Sequence, residues 1–231
     1  MISSAQALFW LLLFSALFAV AGVMYARRVR DDLENYIVAR NSQGPVATIA
    51  TLLASSLGAW ILFSPPQAAT WGGLAAVIGY AIGAMSPRLA MIPLGRRMRE
   101  LMPRGHTLTE FLMARYGRTL YALVLLIMLF YMFIAMTAEI TAMGKLVMLL
   151  APVPLWVTAA IVMGFTLIYT AYGGLRASIF TDKVQMVLIL PLLALLMWLG
   201  WRAAGGVMPT IERLRTEAPR LLELSDPLGV K

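Results

Sequence analysis

The sequence predicts an all-α integral membrane protein with six transmembrane helices, and three observations carry that prediction. Of its 231 residues, 61% are hydrophobic and 13% charged, against about 45–50% and about 25% in a soluble domain. Six stretches reach the roughly 20 mostly apolar residues that a bilayer crossing needs. Arginine and lysine fall in alternate short loops, as they do where one membrane face retains positive charge. A water-soluble globule is excluded, and so is intrinsic disorder, which needs low hydrophobicity. The formal net charge of +8 sits in those loops, where anionic lipid attracts it, so it implies no nucleic acid.

The first span, Ala5–Ala26, lacks the basic leader of a signal peptide, runs too long for one, and is followed by Arg27, Arg28 and Arg30. It reads as a retained helix. Span two covers Val46–Ser64 and closes at Pro65 and Pro66. Span three, Trp71–Ile92, carries Ala75, Gly79 and Gly83 at four-residue intervals, a spacing that lets helix backbones approach closely. Pro87 and Pro93 mark kinks or a boundary at its far end. Spans four, five and six are Leu120–Leu150, Leu155–Tyr172 and Val184–Trp201. The segments after spans one, three and five hold four, seven (counting Arg88 at the inner end of span three) and two basic residues, whereas Pro65–Thr70 and Ala151–Pro154 hold none. Both termini are therefore expected outside the cytoplasm. Beyond span six, Ile211, Leu214, Ala218, Leu221 and Leu222 recur at helical spacing among charges, the pattern of a short amphipathic surface helix.

Few residues carry chemistry. With no cysteine and a lone His106, thiolate nucleophiles and histidine-based metal centres are excluded. No phosphate loop, His-Glu-x-x-His or Gly-x-Ser-x-Gly occurs, so neither an enzyme nor an organic cofactor is expected. Span two has the run Ala54-Ser55-Ser56-Leu57-Gly58-Ala59 at its middle. Small and hydroxyl residues there serve either close packing, the commoner use, or local unwinding, which frees carbonyls to coordinate a cation. Glu139 is the acidic side chain set well inside a span, which by default marks function. Lys145 lies six residues on, about 240° round the helix, and is badly placed to pair with it. Glu139 is open to three roles: contacting substrate, ion or proton; packing in protonated form; or pairing with a helix outside the chain. Asp182, three residues before Gln185, reads on spacing alone as a helix cap. Arg40, beside Gly44-Pro45, reads as an inside-positive arginine.

Four stretches in register resemble the sodium:solute symporter family, which includes the proline and glucose cotransporters. They are Glu34–Pro45, Ala54–Trp60, Leu108–Leu112 with Arg115–Gly117, and Tyr172–Ala177 with Thr181, Asp182 and Gln185. The resemblance implies a LeuT-like fold, two inverted five-helix repeats behind one extra helix. Residues 1–27 would be that leading helix, 28–207 the first repeat, and 208–231 an extracytoplasmic amphipathic tail. By the same resemblance, the backbone carbonyls of Ala54 and Leu57 would bind sodium, with hydroxyl ligands supplied by the second repeat. Ser56 stands where proline-type members carry an aspartate. Asp182 matches a family acid on the inner ion path, and Arg40 matches an arginine near the inner end of the same helix. Glu139 receives no role from the family.

The function implied is sodium-coupled transport of a small organic solute across the inner membrane by alternating access, with this chain as the N-terminal half. Sodium would be the coupling ion, and the second repeat would come from a longer chain or a partner polypeptide. Two further readings are a symporter-like sensory input domain and an inactive truncated remnant.

Overall fold

A computed structural model describes residues 2–28, 33–39, 43–103, 105 and 107–223. The regular elements among the described residues are all helical: α1 (Ser4–Arg28), α2 (Leu33–Ile37), α3 (Pro45–Ala54), α4 (Ser64–Leu101), α5 (Leu108–Leu150), α6 (Leu155–Ala203) and α7 (Val207–Glu217), with 3-10 turns at Ala59–Leu62 and Pro219–Leu222. Among these, α1, α4, α5 and α6 are long and apolar enough to cross a membrane. The expectation of six separate spans therefore meets four long helices, for two physical reasons.

Span two is not one helix. Pro45 opens α3 at its first helical position, where a missing N–H costs nothing, and the helix stops at Ala54. Spans five and six are joined in α6, whose 49 residues would measure about 74 Å if straight, far more than the ~30 Å hydrocarbon core. α6 is broken at Gly174, with φ 58° and ψ −153°, a conformation essentially confined to glycine. The helix resumes at once, so Asp182 lies inside a helix rather than at its start. The capping role read from its spacing is thus corrected.

Two other boundaries shift. Pro65 and Pro66 stand in the first turn of α4 rather than closing span two. α4 then runs through Pro87 and Pro93 to Leu101, past the expected end at Ile92. α5 begins at a cap, with the Thr107 hydroxyl accepting from Glu110 N–H at 3.1 Å, and breaks at Gly117 before the long apolar run.

The chain divides into two compact units. The first comprises Met1–Trp60 with His106–Ile189. Its helices meet through small side chains: Ala7, Ala151, Ala177, Thr158 and Thr181 are all buried, the residue types that let backbones close on each other in lipid. At the start of α1, Ile2 N–H donates to the Leu150 carbonyl at 3.0 Å and the Ser4 hydroxyl to that of Pro152 at 3.2 Å. At its other end, Tyr25 stacks on Phe180 with centroids 4.5 Å apart, and Gly173 packs on Gly22 and Ala26. Here the Gly174 break rests on the backbone and ring of Tyr36, while the Tyr36 hydroxyl donates to the Ala171 carbonyl at 2.7 Å.

The second unit comprises Ile61–Gly105 with Leu190–Lys231. The amphipathic pattern after span six becomes α7, and the 3-10 turn beyond it packs on α4. The backbone of Leu221 lies directly against Gly73, where α4 is broken at φ 57°. Within this unit Gly79 and Gly83 meet no heavy atom, so the close helix contact expected of them is not made inside it.

Gly174→Ala is expected to destabilise the chain by at least about 1–3 kcal/mol from backbone strain alone, with overlap on Tyr36 in addition. Gly164→Ala, at a helical position facing open space, is expected to be neutral or stabilising by about 0.5–1 kcal/mol. Thermal unfolding of both variants in detergent checks the contrast.

Candidate functional site

The break in span two is where the candidate residues converge. Past Ala54 the chain tightens before it leaves the helix. Ser55 N–H bonds the Thr51 carbonyl at 2.9 Å, and Ser56 and Leu57 N–H both bond that of Leu53 at 2.9 Å. Leu57 N–H also reaches the Ala54 carbonyl at 3.3 Å. The Ser55 and Ser56 hydroxyls fold back onto the Leu52 carbonyl at 3.1 and 2.6 Å, a local bonding that competes with helix continuation. Residues 55–58 are outside any helix before the 3-10 turn starts at Ala59. The span unwinds here, and the run also permits the close approach at Gly58 described next.

Unwinding leaves carbonyls at the C-terminus of α3, the end that carries partial negative charge. A carbonyl oxygen has two lone pairs, so the one long bond to the Ala54 oxygen leaves it able to coordinate. Ala54 is buried and Leu57 half-buried, which shields such an interaction from competing water. The donor set is oxygen-rich and suits a hard monovalent or divalent cation better than a soft metal. Among the described residues no cluster of three or more metal-ligating side chains occurs.

Glu139, from α5, reaches this break. Its carboxylate accepts backbone hydrogen bonds from Ala59 and Trp60. It lies so close over Gly58 that a methyl group on that residue would overlap both carboxylate oxygens. Nothing in the sequence linked position 139 to position 58, and this contact is the main feature that the sequence did not reveal.

The remaining candidates are elsewhere. Lys183 donates to the Gln43 side chain at 3.2 Å, which puts its neighbour Asp182 beside the start of α3. The ten residues of α3 span about 15 Å, so Asp182 and the break mark opposite ends of one short helix. Asp182 is half-buried, between the fully buried Thr181 and Lys183. Arg40 and His106 lie outside the described residues. A cavity of about 370 Å³ opens among α1, α5 and α6, with Trp10, Phe14, Phe18, Met143, Phe165 and Tyr169 in its walls. Gln185 of the family motif lines it, whereas Ala54, Ser56, Leu57, Glu139 and Asp182 do not.

The profile of the sodium:solute symporter family matches residues 36–231. The chain belongs to the sodium:solute symporter family. It is 30% identical to the sodium/pantothenate symporter of Escherichia coli over 86% of its length and 42% of that protein's. Against the osmoregulated proline transporter OpuE of Bacillus subtilis it is 26% identical, over 87% of its own length and 42% of OpuE's. Against the human sodium/glucose cotransporter 4 it is 25% identical, over 84% of the chain and 29% of that protein. The chain thus spans less than half the length of these relatives, all of them named as transporters rather than enzymes. No solved structure matches it. With the family membership, the long apolar helices make this a multi-pass membrane protein.

Within this symporter-family chain, the Gly174 break depends on Tyr36. Tyr36→Phe removes the hydroxyl bond to Ala171 and is expected to destabilise by about 1 kcal/mol, read as a lower thermal midpoint in detergent.

Proposed function

We propose that this chain is the N-terminal half of a sodium-coupled transporter of a small organic solute, working by alternating access. The observation that carries the reading is the unwound middle of span two, with the Ala54 and Leu57 carbonyls at a helix C-terminus. Broken helices of this kind line the midplane sites of secondary transporters, where half-helix ends coordinate the coupling ion. Sodium bound there favours the outward-open state, and closure carries ion and solute inward together. Asp182, at the far end of α3, lies on the inner path by which the ion leaves.

Six crossings fit the helices: α1, α3 with its 3-10 turn, α4, α5 beyond Gly117, and α6 on either side of Gly174. The contacts support this alternation. The N-terminus bonds to the 150–152 segment, whereas Tyr25, Tyr36 and Gln43 meet residues 171–183 at the other end of the first unit. In the second unit the tail beyond span six touches the start of span three. The tail and both termini are then extracytoplasmic, and the arginine-rich segments face the cytoplasm.

The LeuT-like reading needs a second, inverted repeat from a longer chain or a partner polypeptide. Two copies of this chain share one orientation and cannot supply it. The open faces of Gly79 and Gly83 are suited to helices from that repeat. The solute class follows the relatives' names: an amino acid, a carboxylate or a sugar.

The test is uptake into inner-membrane vesicles carrying the complete gene product, using radiolabelled proline, pantothenate and glucose under inward sodium or potassium gradients. Sodium-specific accumulation of one of them is expected, and its absence for all of them contradicts the reading. Asp182→Asn is expected to raise the sodium half-saturation about tenfold, equivalent to about 1.4 kcal/mol. Ser56→Ala is expected to change it by less than about twofold, because that hydroxyl is already donated to Leu52.

A further inference from the structure

The contact between Glu139 and Gly58 is made by no residue of the family motifs other than Gly58 itself, and it joins segments 81 positions apart in the chain. Where α3 ends, the backbone must restart, and the N–H groups of the following turn lose their helical acceptors. In a lipid interior each such group left bare costs several kcal/mol. Ala59 and Trp60 are two residues of that turn, and the Glu139 carboxylate accepts from the backbone N–H of both. A carboxylate is acceptor-only, with two oxygens, and its bonds to N–H are about twice as strong as neutral ones. Gly58 is what lets it approach: the three atoms that a Cβ at Gly58 would meet first all belong to Glu139.

We propose that Glu139 is a positioning residue, a clamp from α5 that holds span two in its broken form and so presents the Ala54 and Leu57 carbonyls to the cation. Glu139 does not contact the solute. It acts through the backbone of residues 58–60, with Gly58 as its seat. The link to the cation rests on the transport reading above; the clamp itself does not.

A double-mutant cycle in the full chain separates the two. Thermal midpoints are measured in detergent without sodium or solute for wild type, Gly58→Ala, Glu139→Ala and the double variant. Each single change is expected to lower the midpoint by about 5 °C. Gly58→Ala in the Glu139→Ala background is expected to lower it by no more than about 1 °C, because the group it would strike is gone. Additive losses overturn the clamp. If Gly58→Ala does not accumulate, Glu139→Ala and the double variant are compared alone: equal midpoints support the clamp, and a further loss of about 5 °C in the double overturns it. Glu139→Gln keeps one acceptor oxygen and is expected between wild type and Glu139→Ala; a midpoint at or below that of Glu139→Ala overturns the two-bond geometry.

The second readout is sodium dependence of uptake by the complete gene product. Glu139→Ala is expected to raise the sodium half-saturation at least about tenfold while leaving the solute KM at saturating sodium unchanged. A raised solute KM with unchanged sodium half-saturation overturns the positioning role. Absent uptake in wild type bears on the transport reading alone, and the stability cycle still decides the clamp.

Discussion

A helix in lipid can stop only where something else takes over its backbone hydrogen bonds. The rest of this structure depends on how span two meets that constraint. α3 stops at Ala54, tightens through bonds to Thr51 and Leu53, and restarts at Ala59 against a carboxylate from α5. The Glu139 carboxylate accepts from the Ala59 and Trp60 N–H groups at that restart. The break is therefore a tertiary feature: it belongs to α3 and α5 jointly. Its consequence is a set of carbonyls at a helix end, which is the chemistry a coupling cation needs in place of its hydration shell.

Two other breaks also have partners of their own, whereas Gly117 breaks α5 with no heavy atom beside it. Gly174 turns α6 where Tyr36 covers it, and Gly73 turns α4 where the Leu221 backbone lies against it. Gly164, Gly79 and Gly83 have the same freedom but no such neighbour, and there the helices run on. Glycine permits the conformation, and at Gly174 and Gly73 a close contact accompanies it. The small buried side chains of the first unit work in the same direction, since Ala, Gly and Thr allow the approach at which backbone-to-backbone contact becomes the stabilising term.

This explains what the sequence made legible. Spans one and four are read to within a few residues because their apolar runs are uninterrupted, while the tail's helical pattern holds only as far as Glu217, with Leu221 and Leu222 in a separate 3-10 turn. Span two is not, because Ala, Ser and Gly at mid-membrane serve packing and unwinding alike, and the deciding residue lies 81 positions away. Asp182 reads as a cap from a local Asp-x-x-Gln pattern, although the helix has already resumed seven residues earlier at Leu175. Glu139 was recognisable as a costly group in lipid whose role stayed open, and the groups it meets are backbone, which leaves no mark in a sequence. The family motifs pick out the segment that breaks without revealing what lies against it.

The central claim is that the broken middle of span two receives sodium. Ser55, at the break and exposed, can be replaced by cysteine in a chain that has none. Its maleimide labelling rate would be measured in native membranes carrying the complete gene product, with other cysteines removed. At ten times its dissociation constant, sodium is predicted to slow labelling about tenfold by mass action, with potassium at equal ionic strength having no effect. Equal rates in sodium and potassium at every concentration would contradict the account.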